Sequence, residues 1–164
     1  MGQGGLKWQE LLHRMIDTQT RPFFVGEFTH SVDGKGRVTI PSQWRLKGAE
    51  ETYLGLPIPG GTVRVLPPWR VSQLQEEVAE KAKLSDLDGH RALMAVFAAA
   101  DQFECDKQGR IVLSQRLRNH AAIKTKAVLT GDLNTFTIWN PKTYEDSRSK
   151  DDASILSNLG KLGL

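Results

Sequence analysis

The chain has 164 residues, of which 39% are hydrophobic and 25% are charged, a composition that suits one compact soluble domain or two small intertwined ones. Its one cysteine, Cys105, excludes an internal disulfide and a cysteine-based metal site, so we expect a reducing cytoplasm. The net charge of +3 is too small to indicate nucleic acid by itself, and the longest apolar run, Ala92 to Ala100, is too short to cross a membrane.

Five segments are predicted along the chain. They are an N-terminal tail (1–22), a first module (24–74), a helical linker (75–99), a second module (100–145) and a C-terminal tail (146–164). The two tails show little sustained pattern, although Leu6 to Ile16 could form a short helix. The two modules contain the regular patterns from which the rest of the interpretation follows.

The first module opens with a predicted β-hairpin. Phe28 and Val32 belong to an alternating apolar pattern that leads into Asp33-Gly34, a strong short-range hairpin signal. Asp33 can accept backbone N–H bonds across such a turn, and Gly36 supplies the left-handed conformation that the turn needs. The sequence therefore predicts a tight turn between two short strands.

The strand after this turn has two different faces. Val38 and Ile40 point to one face, whereas Arg37 and Thr39 point to the other. A short helix is predicted next, because Pro41 suits the start of a helix and Gly48 its end. This helix contains two basic side chains.

The linker is predicted to contain two helices. Val71, Leu74 and Val78 follow helical spacing, with charged residues between them. Ser85-x-x-Asp88 resembles a capping box that opens a second helix through Ala100. Because the segment from Leu93 to Ala100 is apolar on most faces, we expect it to be buried in the core or at a subunit contact.

The second module repeats the first with a constant offset. Asp33 to Ile40 reappears as Asp106 to Leu113, and Thr62 to Pro68 reappears as Thr135 to Pro141, each 73 residues later. Two patches that share one offset indicate a duplicated unit of hairpin, short helix and strand pair. In the second copy, Ser114 is predicted to cap a helix over Gln115 to Ala121.

These residues resemble the MraZ family. The resemblance rests on two Asp-x-x-x-Arg signatures, Asp33-Gly-Lys-Gly-Arg37 and Asp106-Lys-Gln-Gly-Arg110, and covers about Phe24 to Tyr144. It implies an α+β fold: a tandem pseudo-symmetric swapped-hairpin (double-split) β-barrel of two SpoVT-AbrB modules, with helices between and after the hairpins. It also implies a cytoplasmic, nucleoid-associated, ring-shaped homo-oligomer that binds promoter direct repeats and represses its own division and cell-wall gene cluster.

The resemblance assigns the DNA-contacting arginines to Arg37 and Arg110. A two-stranded ribbon can enter the major groove, where arginine bonds bidentately to guanine O6 and N7. The basic residues expected to contact phosphates are Lys35, Lys107, Arg45, Lys47, Arg116 and Arg118. The residues expected to shape the turns are Asp33, Gly36, Asp106 and Gly109. Gln108 stands where the first turn has Lys35.

The residues leave simpler readings open. Asp33 and Arg37 could only pair with each other across the turn, as could Asp106 and Arg110, which contributes about 0–1 kcal/mol at an exposed site. The histidines lack metal-ligand spacing, and the chain shows no paired titratable residues for catalysis. We therefore expect no metal, no cofactor and no enzyme activity.

Two other functions compete with a promoter-binding regulator. One is an AbrB-like or antitoxin-type DNA binder, which normally has one hairpin module per chain. The other is an interaction module in which barrel and apolar helix serve assembly alone. Salt-dependent binding to double-stranded DNA distinguishes the last from the others, because phosphate contacts release counterions.

Overall fold

The computed structural model describes residues 7–9, 22–45, 52–81, 87–151 and 155–163. Its strands are β1 (Glu27–Ser31), β2 (Arg37–Thr39), β3 (Thr52–Ile58), β4 (Thr62–Leu66), β5 (Asp101–Glu104), β6 (Arg110–Val112), β7 (Lys126–Gly131) and β8 (Phe136–Trp139). Its α-helices are α1 (Pro68–Lys81), α2 (Leu87–Ala98), α3 (Gln115–His120), α4 (Pro141–Asp151) and α5 (Ile155–Lys161). The α+β class predicted from the sequence is confirmed.

The two halves of the chain exchange strands. β1 of the first half pairs with β7 of the second, and β5 of the second half pairs with β3 of the first. Together with β4 and β8 they form one six-stranded antiparallel sheet in the order β1-β7-β8-β4-β3-β5. Since β1 and β5 are the edges of this sheet, hydrogen-bonded pairing of the described strands does not close it into a barrel.

The second sheet is a ribbon built from one strand of each half. β2 pairs antiparallel with β6, and Val38 lies directly opposite Ile111 at the centre of the ribbon. These two residues are equivalent in the 73-residue repeat. The pseudo-twofold axis that relates the halves therefore passes through this pair.

The core joins the halves through aromatic side chains. Trp44 is fully buried, with its ring centroid 5.7 Å from that of Phe24 and 5.3 Å from that of Phe136. Contacts of this kind contribute about 0.5–1.5 kcal/mol beyond the area they bury. Cys105 follows β5 and is only partly covered against this core.

The helical linker is present, but its apolar part is not in the core. Val71, Leu74 and Val78 form the partly covered side of α1, as predicted. In α2 no residue is buried, and Met94 and Val96 keep 55% and 50% of their surface exposed. The expected burial in the core is therefore wrong for the single chain, and a subunit contact stays a prediction. Neither α2 nor any other described helix is long and apolar enough to cross a membrane.

The elements after the two hairpins differ. In the first half the predicted helix is one 3₁₀ turn, Ser42–Trp44, and it ends there because Arg45 adopts an extended conformation. Gly48, the predicted end of that helix, lies outside the described residues. In the second half Ser114 caps α3 as predicted, since its hydroxyl oxygen accepts the backbone N–H of Leu117 at 3.2 Å.

The predicted C-terminal tail is helical over most of its described length. Asn140 caps α4 by accepting the backbone N–H of Lys142 at 2.8 Å, and Pro141 occupies the first helical position. This helix passes through residue 146, where the tail was predicted to begin, and α5 follows it. Of the helix suggested over Leu6 to Ile16, only 7–9 is described, and it is helical. Ser85 of the predicted capping box lies outside the described residues.

Candidate nucleic-acid interface

The β2–β6 ribbon has one buried side and one outward side that is partly exposed. Val38 and Ile111 point into the core and are at most 1% exposed. Their neighbours along each strand point the other way, because side chains alternate. We call these four residues the ribbon face: Arg37, Thr39, Arg110 and Val112. The register sets Arg37 opposite Val112 and Arg110 opposite Thr39, so the two arginines occupy diagonal corners of the ribbon face.

The first turn is held by one carboxylate. Asp33 Oδ1 accepts the backbone N–H of Lys35 at 3.0 Å and that of Arg37 at 2.9 Å. Gly36 has a φ of +79°, a conformation that side-chain-bearing residues rarely adopt. The predicted roles of Asp33 and Gly36 in shaping the turn are present in the structure.

The second turn reproduces this arrangement. Asp106 Oδ1 accepts the backbone N–H groups of Gln108 and Arg110, both at 2.9 Å. Gly109 has a φ of +78°. The backbone of the two turns is therefore the same, although the residue at the tip differs.

Each aspartate also binds the arginine that follows it. Arg37 Nε donates to Asp33 Oδ2 at 2.6 Å, and Arg110 Nε donates to Asp106 Oδ2 at 2.8 Å. The ion pair considered as a simpler reading is present in both turns. The arginine side chains stay 32% and 28% exposed. Within the described chain their terminal guanidinium nitrogens make no hydrogen bond to protein.

The turn geometry lowers the pKa of both aspartates. The backbone N–H of Arg37 and then its side chain hold the pKa of Asp33 at about 2, below its ordinary 3.8. The pKa of Asp106 is also lowered, chiefly by the backbone N–H of Arg110. Both carboxylates are therefore charged at neutral pH and keep their arginines oriented.

Arg45 lies against the turn of the opposite half. Its Nε donates to the carbonyl oxygen of Ile40 at 3.0 Å. Its guanidinium occupies the space that a Cβ at Gly109 would need. Gly109 is therefore required for two reasons, its positive φ and the close approach of this side chain.

Arg118 makes the equivalent contact in the other direction. Its Nε donates to the carbonyl oxygen of Leu113 at 3.1 Å. A Cβ at Gly36 would come within 2.8 Å of that Nε. Arg45 and Arg118 are themselves 73 residues apart, so the pseudo-twofold symmetry extends to this crossed contact.

The remaining basic residues expected to bind phosphate fall into different surroundings. Lys35 and Lys107 are exposed at the tips of the turns, beside the ribbon face. Lys47 lies outside the described residues. Arg116 donates to the carbonyl oxygens of Ala98 and Ala100 and so holds the end of α2. The structure therefore brings only some of these residues to the ribbon.

Sequence reasoning missed two features of this surface. Thr39 was placed on the outward side of its strand, but neither Thr39 nor Val112 was among the predicted site residues, and the structure sets both beside the two arginines. The crossed contacts of Arg45 and Arg118 were also missed. The 73-residue offset contained a signal for the crossed contacts, because Arg45 and Arg118 occupy equivalent positions in the two halves.

Comparisons with known proteins agree on one family. Residues 96–158 match the family described as "MraZ protein, putative antitoxin-like". The chain is 34% identical over 145 residues to the transcriptional regulator MraZ of Pediococcus pentosaceus, covering 86% of this chain and 99% of that protein. It is 32% identical over 132 residues to the protein of the same name from Caldicellulosiruptor saccharolyticus, covering 80% and 90%.

Proposed function

Because the chain belongs to the MraZ family of transcriptional regulators, we propose that it binds double-stranded DNA sequence-specifically through the ribbon face. The family makes it a transcription regulator and not an enzyme. The observation that carries the proposal is the placement of Arg37 and Arg110 on one outward-facing, partly exposed side of a two-stranded ribbon. A ribbon of this width fits the major groove of B-DNA.

The Asp–Arg ion pairs support base reading. Each aspartate binds the Nε edge of its arginine, so the guanidinium is oriented while its terminal nitrogens make no hydrogen bond to the described part of the protein. Those nitrogens can bond to guanine O6 and N7, which is worth about 1–3 kcal/mol of discrimination per contact. The pairing therefore supports base reading by fixing the orientation of each arginine side chain.

The affinity comes from two kinds of contact. Lys35 and Lys107, which are exposed at the turn tips, meet phosphates on either side of the groove in this proposal and add affinity without base preference. The ribbon face of one chain supplies only a few base contacts. Specific binding by one chain is therefore modest, and several chains on adjacent sites multiply it.

We further propose that the chain is built from two SpoVT-AbrB-type swapped-hairpin modules and that it assembles into a ring-shaped homo-oligomer. The strand exchange of β1 and β5 supports the modules. The exposed Met94 and Val96 of α2 support a contact with another copy. Such a ring, cytoplasmic and nucleoid-associated, binds direct repeats in the promoter of its own division and cell-wall gene cluster and represses it.

Footprinting tests this function. The wild-type protein is expected to protect short repeats about 10 bp apart, near one helical turn, in the DNA upstream of its own gene. The double variant Arg37→Ala/Arg110→Ala is expected to leave that DNA unprotected while it folds and assembles normally. Affinity for the protected DNA should fall steeply with salt. Equal protection by both proteins contradicts the ribbon face, and binding to no DNA at any salt favours an assembly module.

A further inference from the structure

Arg45 and Arg118 hydrogen-bond to the protein's own backbone, whereas a phosphate-binding side chain keeps its donors free for the ligand. Each is only partly exposed, and each uses its Nε to bind a backbone carbonyl of its own half, at Ile40 and Leu113. Each also presses its guanidinium against a turn glycine of the other half. These contacts indicate a role in holding the turns.

The contact of Arg45 closes a small network around Gly109. Ile40 donates its backbone N–H to the carbonyl oxygen of Gly109 at 2.8 Å, and the carbonyl of Ile40 accepts Arg45 Nε at 3.0 Å. The guanidinium of Arg45 then covers the Cα of Gly109. The glycine is therefore held both at its carbonyl and at its Cα by residues of the first half.

The contact of Arg118 closes the same network in the other half. Leu113 donates its backbone N–H to the carbonyl oxygen of Gly36 at 2.9 Å, and its own carbonyl accepts Arg118 Nε at 3.1 Å. Gly36 directly precedes Arg37, just as Gly109 directly precedes Arg110. The position of each glycine therefore sets where the next arginine begins, and base contacts need placement within about 0.5 Å.

We propose that Arg45 and Arg118 are crossed positioning residues. Arg45 holds the turn that presents Arg110, and Arg118 holds the turn that presents Arg37. This proposal rests on the proposed function, in which the ribbon face reads DNA. It replaces the phosphate contacts expected of Arg45 and Arg118 from the sequence.

Salt dependence and sequence discrimination separate the two roles. The probes are a duplex selected by the wild-type protein from a randomised duplex pool and a scrambled duplex of equal length. A positioning role predicts that Arg45→Ala binds the selected duplex about tenfold more weakly, comparable to one lost bidentate contact. Binding to the scrambled duplex and the salt slope should stay unchanged. A phosphate role instead predicts equal loss on both duplexes and a slope reduced by about 0.9.

Double-mutant cycles test the crossing itself. Once Arg110 is alanine, Arg45→Ala should lower affinity for the selected duplex less than twofold, because the turn it holds no longer reads a base. Combined with Arg37→Ala, the same change should keep its full effect of about tenfold. Arg118→Ala should show the reverse pattern, coupling to Arg37 and not to Arg110.

Hydrogen exchange measures the turns without DNA. In Arg45→Ala, deuterium uptake should rise at 106–110 and not at 33–37, and in Arg118→Ala the rise should move to 33–37. Arg45→Lys keeps the charge but loses the Nε donor and the planar group, so it should behave like alanine. Arg64→Ala, which removes an exposed arginine of β4, is the matched control and should change neither turn. Melting temperature and assembly are compared across all variants.

The outcomes separate this proposal from the proposed function. A wild-type protein that selects no duplex overturns the reading of DNA by the ribbon, and the positioning role falls with it. Selection by the wild type, with additive cycles or with uptake that rises equally in both turns, overturns only the crossed positioning. A variant that unfolds is replaced by its lysine counterpart, whose exchange pattern decides the matter. Full affinity of Arg45→Lys with unchanged exchange contradicts the proposal.

Discussion

The two turns of the ribbon share the same backbone structure and differ in the side chains on their outer surface. Both have an aspartate that accepts two backbone N–H groups, a glycine with φ near +78°, and an arginine bound through Nε. They differ at the tip, where Gln108 replaces Lys35, and beside the arginines, where Val112 replaces Thr39.

This comparison indicates that the duplication keeps the turn backbone and varies the side chains that the two turns expose. Thr39 can donate and accept hydrogen bonds, whereas Val112 offers only methyl groups, which suit the C5-methyl of thymine. The two otherwise equivalent turns therefore present different side chains to the two ends of a bound DNA site. Variants that change one turn at a time separate their contributions.

The largest effect is expected from the turn glycines. A Cβ at Gly36 would meet the backbone oxygen of Leu113 at 2.6 Å, whereas a Cβ at Gly109 would meet the side chain of Arg45, which can swing away. Gly36→Ala should therefore destabilise more than Gly109→Ala. Gly60→Ala, whose Cβ meets nothing within 4 Å, carries only the positive-φ strain of about 1–3 kcal/mol. Urea unfolding gives the order, and a Gly36→Ala midpoint equal to that of Gly60→Ala contradicts this packing.

The next effect concerns the two arginines. Arg37→Ala and Arg110→Ala should each weaken binding to a wild-type-selected duplex by about 1–3 kcal/mol, or roughly 5- to 150-fold, through loss of one guanine contact. Folding and assembly should be unchanged because both side chains are partly exposed on the ribbon face and lie outside the hydrophobic core. Gel-shift titration against the Arg64→Ala control measures the loss. If one arginine variant binds as tightly as wild type, only the other arginine contacts a base.

A smaller effect is expected from exchanging the residues between the arginines. Val112→Thr should relax a thymine preference at one position of the selected site, and Thr39→Val should create such a preference at the symmetry-related position. Each change should alter affinity by less than about tenfold, since one apolar contact to a thymine methyl is exchanged for a hydroxyl. Sequencing of pools selected by each variant shows the preference. Identical pools from wild type and Val112→Thr would place Val112 outside the groove.

The smallest effect is on stability at low pH. The pKa of Asp33 is lowered in the folded protein to about 2 from 3.8, so its stabilising contribution is complete above the ordinary value and is lost as the pH falls through that range to about 2. Asp33→Asn should therefore flatten the decline in melting temperature between about pH 4 and pH 2. Asp106→Asn should act in the same direction, since the pKa of Asp106 is also lowered. A decline as steep as in wild type shows that other carboxylates dominate.

Local chemistry made much of the ribbon predictable from sequence. Asp33 and Gly36 indicate the turn because an aspartate that accepts backbone N–H groups and a residue with positive φ have few substitutes. The duplicated unit followed from the constant offset, and the Ser114 cap from a single hydroxyl ahead of a helix. These features depend on residues within a few positions of one another.

Long-range placement was not predictable in the same way. Nothing within the first half indicates that β1 pairs with β7, or that Arg45 reaches Gly109. The exposure of α2 also depends on what packs around it, since an apolar helix has the same sequence pattern whether its own chain or another chain covers it. The C-terminal helix was missed although Asn140-Pro141 is a recognisable start, because the residues after it lack an apolar stripe.

The most direct test replaces the guanines of a wild-type-selected duplex, one at a time, with 7-deazaguanine, which lacks the N7 acceptor that arginine uses. Wild-type affinity should fall at the guanines contacted by the ribbon, and the Arg37→Ala/Arg110→Ala variant should not respond at those positions. In each repeat two guanines are expected to respond, and each single variant should lose the response at one of them. A wild-type protein indifferent to every replacement, or a double variant that responds as strongly as wild type, would show that these arginines do not read the groove.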